Sequence, residues 1–303
     1  QTAIDSSSDG DTVLVAAGTY SANINIIDKW IYLSSHLLLY PDSLELINST
    51  IIDGGFEPAI EVEDSSDPIS TTTYDTTSII GFTIKGAGSN SEMVGSAINS
   101  SLSWGIHNGE VWYNGTLHVK RCNIYGNGGF ADIIYKGDIF LENITTSSAD
   151  MVLGGVVSQG GGSCEVKNSI IYNEFSWYEG EPYFDITYTL FNGYDYSNGN
   201  QTNIQGDPYL MVQIFCDPDS GNYYLVENSP AVGTGENGID MGAYGLGCGQ
   251  YNLPPTEFSL SGPANNMFIT IDESNMNTGF ISFWWSEASD VNGDSLYYLL
   301  RIT

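Results

Sequence analysis

"VKRCNIYGN" (119–127) and "VKNSIIYN" (166–173) are two copies of one pattern, alike apart from one extra Gly in the first. Each runs from an apolar residue through a basic one and a polar turn into a second apolar segment. Their offset of 47 residues is too long for one coil of a β-solenoid and suits two. An intermediate copy stands at "LENITT" (141–146) and a later one at "ITYTLFNG" (186–193). Earlier ones are "IIGFTIKG" (79–86) and "LINSTIIDGG" (46–55), with a degenerate copy at "AINSSL" (97–102). The apolar starts are then Leu46, Ile79, Ile98, Val119, Leu141, Val166 and Ile186. The gap between Leu46 and Ile79 holds "EVEDSSDPISTTTYDTT" (61–77), which reads as a loop inserted into one coil.

Short strands without helical periodicity, recurring every 20–25 residues or so, predict an all-β chain built as a β-solenoid. Equivalent residues of such a fold stack at roughly 4.8 Å into columns. The column through Lys120 reads Lys120, Glu142, Lys167, Thr187, so opposite charges alternate. The next reads Arg121, Asn143, Asn168, Tyr188, a set of corner residues. The composition agrees: 35 Gly and 13% aromatic residues suit many strands joined by tight turns.

Lys and Arg total 7 against 37 Asp and Glu, a net charge of −30. That excludes nucleic acid and anionic membranes as partners, because both need neutralising cations. Polyuronates would be repelled without a bridging cation. There is no apolar run of the roughly 18 residues that a membrane span needs. No secretory leader is visible before Gln1, as in a mature or trimmed chain. The four cysteines form no C-x-x-C, which argues against zinc. Cys216 and Cys248 bracket a Gly/Asn/Asp-rich stretch and would pair as a disulfide in an exported protein. Cys122 and Cys164 fall in strand patterns and read as small buried residues.

"AIDSSSDGDTVLVAAGTYSANINI" (3–26) resembles the opening coil of right-handed parallel β-helix proteins of the pectin-lyase-like superfamily. "GDPYLMVQIFCDPDSGNYYLVENSPAVGTGENGIDMGAYG" (206–245) is similar to the C-terminal end of many secreted bacterial members. The resemblance implies a right-handed parallel β-helix over residues 1–250 and an extracellular or cell-surface location. Residues 251–256 read as a proline-marked linker. "GFISFWWSEASDVNGDSLYYLLRIT" (279–303) resembles the B–C strand region of fibronectin type III or Ig-like domains. Residues 257–303 therefore read as the N-terminal part of a β-sandwich, which needs about 90–100 residues when complete.

The superfold hosts lyases, hydrolases, adhesins and structural proteins, so activity must be read from sites. Lyases of this resemblance use Lys or Arg as base or charge neutraliser, often with calcium. That makes Lys120 and Arg121 catalytic candidates. In the branch resembling this first coil a Lys is followed by an Arg one coil later; here Glu142 and Asn143 stand there. The N-T-D, D-D, G-H-G and R-I-K motifs of the polygalacturonase branch are absent from the helix region. His107 with Glu110 is a further catalytic candidate.

The aromatic clusters point to sugars, whose C–H faces stack on flat rings. Trp104, Trp112 and Tyr113 form one; Phe175, Trp177, Tyr178, Tyr183 and Phe184 form the other, with Glu110, Glu179, Glu181 and Asp185 as hydroxyl acceptors. Ca2+ is the one cofactor suggested, in the acidic turn Asp290, Asn292, Asp294. The resulting expectation is a non-catalytic extracellular domain of a larger modular protein, serving adhesion or polysaccharide binding. A polysaccharide lyase or glycoside hydrolase is the alternative. A self-associating structural subunit is the third reading, since stacked rungs leave open ends.

Overall fold

In segments such as Thr116–Lys120 the odd and even residues point to opposite sides, because a strand has a period of two. Leu117 and Val119 are buried while Thr116, His118 and Lys120 are not. One such strand cannot bury its apolar side alone, so the chain coils and stacks strand on strand. A computed structural model shows the result. It describes residues 1–55, 57–64, 76–85, 96–102, 104–107, 110–113, 115–125, 133–147, 156–158, 162–171, 175–177, 182–191, 202–205, 214–249, 256–263, 282–289 and 295–298.

The chain divides into two compact units, Gln1–Gly249 and Gln250–Thr303. The first unit is a parallel β-helix. Helix α1 (Thr2–Asp5) precedes the first coil, and its Ile4 joins the core. The coils then run β1 (Thr12–Val15), β2 (Gly18–Ser21), β3 (Ile24–Ile27); β4 (Tyr32–Ser35), α2 (Glu45–Ser49), β5 (Thr50–Asp53), β6 (Ile60–Glu63); and β7 (Thr76–Ile80), β8 (Thr83–Lys85), β9 (Ile98–Ser101). A hairpin, β10 (Trp104–His107) and β11 (Glu110–Tyr113), follows. Next come β12 (Thr116–Lys120), β13 (Asn123–Tyr125), β14 (Ile133–Lys136); β15 (Asp138–Glu142), β16 (Thr145–Ser147), β17 (Val156–Ser158); β18 (Ser163–Lys167), β19 (Ile170–Ile171), β20 (Phe175–Trp177); and β21 (Tyr183–Thr187), β22 (Leu190–Phe191), β23 (Ile204–Gln205).

Three parallel sheets result: a first of order β1-β4-β7-β12-β15-β18-β21, a second of order β2-β5-β8-β13-β16-β19-β22-β23, and a third of order β20-β17-β14-β9-β6-β3. Register is strict. Leu33, Ile79, Val119, Leu141, Val166 and Ile186 form one buried column of the first sheet. Lys120 pairs in register with Glu142, Glu142 with Lys167, and Lys167 with Thr187.

Two expected rung starts are corrected. Leu46 lies in α2, and Ile98 opens β9 in the third sheet; the first-sheet position before Ile79 is held by Leu33. The inward sides of all three sheets feed one core, so the apolar repeat at Ile98 is genuine but belongs to another sheet. The expected inserted loop at 61–77 is also shorter: Glu61–Glu63 belongs to β6, and Thr76 and Thr77 belong to β7.

In the five coils that begin with β7, β12, β15, β18 and β21, the corner between first and second sheets is turned by one left-handed residue. Arg121, Asn143, Asn168 and Tyr188 have φ of 49°, 51°, 51° and 49°. Gly81 holds the equivalent place with φ 79°. A Cβ there would meet Ser35 Oγ at 2.5 Å and Leu37 Cβ at 2.8 Å, so only glycine fits.

A second apolar cluster covers the outer side of the second sheet. Ile170 and Leu190 of that sheet pack with Leu37 and Ile47 from the β4–β5 connection. Phe215, Tyr223, Leu225, Met241 and Tyr244 come from the C-terminal cap. The cap is built on a small sheet of β24 (Phe215–Asp217), β25 (Asn222–Val226) and β26 (Leu246–Cys248). It is fastened to the corner asparagines. Asn168 accepts from Gly242 N on its carbonyl and from Glu236 N on Oδ1, both at 2.7 Å. Asn143 Nδ2 donates to Gly242 O at 3.4 Å, and Ala243 N donates to Thr145 Oγ1 at 3.0 Å. A disulfide joins Cys216 to Cys248, 32 residues apart. Cys122 and Cys164 are free and buried, and burial pushes each thiol up to about 12.

In the second unit, β27 (Leu260–Gly262) pairs antiparallel with β28 (Trp284–Trp285). Tyr298 packs against Phe258 and Trp285 at ring distances of 5.0 and 5.3 Å.

Asn168 carries both a left-handed backbone and two cap bonds. Asn168→Ala is expected to destabilise the β-helix by about 2–3 kcal/mol, from ~1–2 for left-handed strain and ~1 for the lost side-chain bond. Asn168→Gly relieves the strain and loses only the side-chain acceptor, so urea denaturation should place it between wild type and the Ala variant. Removing the disulfide by Cys216→Ser is expected to cost about 3 kcal/mol in the same assay.

Candidate functional site

The outer side of the first sheet is where stacked strands leave side chains for chemistry. Three columns stand on it. Tyr32, Ser78, His118, Phe140, Glu165 and Asp185 form the central one. Lys120, Glu142, Lys167 and Thr187 form the column beside the corner. Thr116, Asp138, Ser163 and Tyr183 form the third. Ser163 donates to Asp138 Oδ1 from both its backbone N and its Oγ, at 2.8 Å each.

The charged column holds two separate ion pairs. Lys120 Nζ lies 2.8 Å from Glu142 Oε2, and His118 Nε2 lies 3.4 Å from the same oxygen. Lys167 Nζ lies 2.7 Å from Glu236 Oε2, supplied by the cap. His118 and Lys120 hold the Glu142 carboxyl down to about 2, against the opposing effect of partial burial. The Glu236 hydrogen bond raises the Lys167 ammonium above its ordinary value. Each of the two lysines is thus paired with a carboxylate. A general base must give up its proton and needs the opposite surroundings. Arg121 stands at the corner with φ 49°, a geometric position shared by four other coils.

The aromatic part of this surface lies beside the ladder. His118 stacks on Phe140, ring centroids 4.6 Å apart at 25°. Tyr183 is 67% exposed, and Glu165 and Asp185 stand exposed on consecutive rungs. Sequence reasoning singled out Tyr183 and Asp185 and missed Phe140 and Glu165. The signal was the two-residue alternation in "DIFLE" (138–142), "SCEVK" (163–167) and "YFDIT" (183–187), which puts these residues on one side.

The other expected site residues fall elsewhere. The hairpin sets His107 opposite Glu110, Trp104 opposite Tyr113, and Gly105 opposite Trp112. The backbone therefore brings the His107–Glu110 pair and the first aromatic cluster into one ribbon, though their side chains lie outside the described part. Trp177 pairs in register with Ser158 in the third sheet, away from Tyr183 in the first. The second aromatic cluster is therefore split between two sheets. Tyr178, Glu179 and Glu181 lie outside the described residues, as do Asp290, Asn292 and Asp294 of the calcium turn. Among the described residues no three His, Cys, Asp or Glu side chains gather as a metal site, and no helix is long and apolar enough to cross a membrane.

No protein-family model matches the chain, and no curated protein or solved structure is detectably similar to it.

Glu142 is depressed in the folded state, so its contribution is fully present above the unfolded value of 4.5 and is lost as pH falls toward about 2. The stability difference between wild type and Glu142→Gln should therefore shrink across that window. Denaturant midpoints at pH 6, 4 and 2.5 check it.

Proposed function

We propose that this chain is an extracellular or cell-surface, non-catalytic β-helix domain that binds polysaccharide along the outer side of its first sheet, in adhesion to glycan-bearing surfaces. The observation that carries this reading is the division of that surface. The Lys120–Glu142 and Lys167–Glu236 pairs occupy the cations in structure, while Phe140, Tyr183, Glu165 and Asp185 remain beside them as a strip of rings and acceptors. Rings supply flat apolar faces for pyranose C–H groups, and carboxylates accept from hydroxyls. Rungs spaced at about 4.8 Å set these groups in a line along which an extended polymer can lie.

The net charge of −30 favours neutral over uronate-rich polymers. The disulfide and the resemblance of 3–26 and 206–245 to secreted pectin-lyase-like proteins support an extracellular location. The resemblance of 279–303 to fibronectin type III or Ig-like domains supports a modular protein.

A glycan array combined with a turnover screen tests the reading. Tyr183→Ala is expected to weaken binding of neutral glycans about 3–10-fold, the value of one aromatic contact. Lys120→Ala should leave binding unchanged. Unsaturated or newly reducing products from any polysaccharide, abolished by Lys120→Ala in a folded protein, would overturn the non-catalytic reading in favour of a lyase or hydrolase.

A further inference from the structure

Asn123 in β13 is fully buried, yet neither its Oδ1 nor its Nδ2 has a hydrogen-bond partner among the described residues. The hydroxyl of Thr83, its in-register neighbour on β8, is in the same condition. On the other flank Thr145 differs: its Oγ1 accepts from Ala243 N of the cap. The three residues belong to one column on the outer side of the second sheet.

Two segments cover that column from opposite ends. The cap reaches Thr145 through Gly242 and Ala243. The β4–β5 connection covers the Gly81–Thr83 end, with Leu37 against Gly81 and α2 against β5 and β8. Tyr244 joins them, its hydroxyl donating to Asn48 Oδ1 of α2 at 2.5 Å. A residue that follows Ala243 and ends on α2 must pass over the rung between Thr145 and Thr83, the rung of Asn123.

A buried amide left without partners costs about 1–3 kcal/mol per group. Native proteins meet such groups with ordered solvent. We propose that Asn123 and Thr83 form an internal polar binding site, closed by the Asn48–Tyr244 bridge, for a small neutral molecule that both donates and accepts: ordered water. Nδ2 of Asn123 disfavours a cation, Oδ1 disfavours an anion, and the hydroxyl of Thr83 completes a donor–acceptor set that water matches. The bound water would act as a tie between the second sheet and its two covering segments.

Two measurements test this. A high-resolution crystal structure of the full chain should show solvent density about 2.7–3.2 Å from an Asn123 amide atom and from Thr83 Oγ1. Absence of that density would overturn the proposal whatever the variants do. Asn123→Leu, similar in size and apolar, separates a wet site from a dry one. It should lower Tm by about 3 °C or more if it removes a hydrogen-bonded water and leaves Thr83 unsatisfied. An unchanged or higher Tm would mean that the amide was unsatisfied in the native state, and would sink the idea. If Asn123→Leu fails to fold, the wild-type density decides.

Discussion

The in-register parallel stack governs everything else in this molecule. Each rung completes its backbone hydrogen bonds only on the rungs before and after it. Side chains therefore come in columns, and what suits one rung must suit its neighbours. The apolar column from Leu33 to Ile186 satisfies this by repetition. The charged column satisfies it by alternation, Lys120 over Glu142 over Lys167, with Glu236 supplied from the cap. Skipping a rung would set Lys120 against Lys167, so the ladder also penalises misregistered coils.

How much of this was legible follows from the same constraint. Val119, Leu141, Val166 and Ile186 recur because later coils are short and regular, and their columns could be written out from the repeat alone. Ile98 misled because three sheets share one core and a buried Ile looks alike in each; Leu46 misled because it lies in α2, packed against the second apolar cluster. The β4–β7 interval, where rung positions Ser34 and Ile80 lie 46 residues apart, hides Leu33 behind a long excursion. The left-handed corner showed in Asn143 and Asn168, residues that favour that conformation, and was obscured by Arg121 and Tyr188. The cap's placement was not legible, since a motif fixes which residues are present and not which surface they cover.

The candidate site was legible in pieces. Lys120 drew attention as a rare cation and was correctly placed in a column, and the structure adds that His118 and Glu142 complete its surroundings. The outward strip of Phe140, Glu165, Asp185 and Tyr183 needed the in/out assignment of three successive strands at once. Aromatic residues near in sequence, such as Trp177 and Tyr183, separate onto different sheets. In a solenoid, nearness along the chain means less than equal position within a coil.

The fastening of the cap has a consequence for the order in which the molecule is made. Asn143 bonds to Gly242 across 99 residues, whereas its own rung is joined to the rungs before and after it across 22 and 25. At synthesis rates of about 5–20 residues per second, the rung of Asn143 waits roughly 5–20 s before its clasp exists. During that interval Ile170 and Leu190 are made but uncovered by the cap. Newly made chains therefore pass through a stage in which a finished stack shows an apolar outer strip, and chaperone contact would concentrate there.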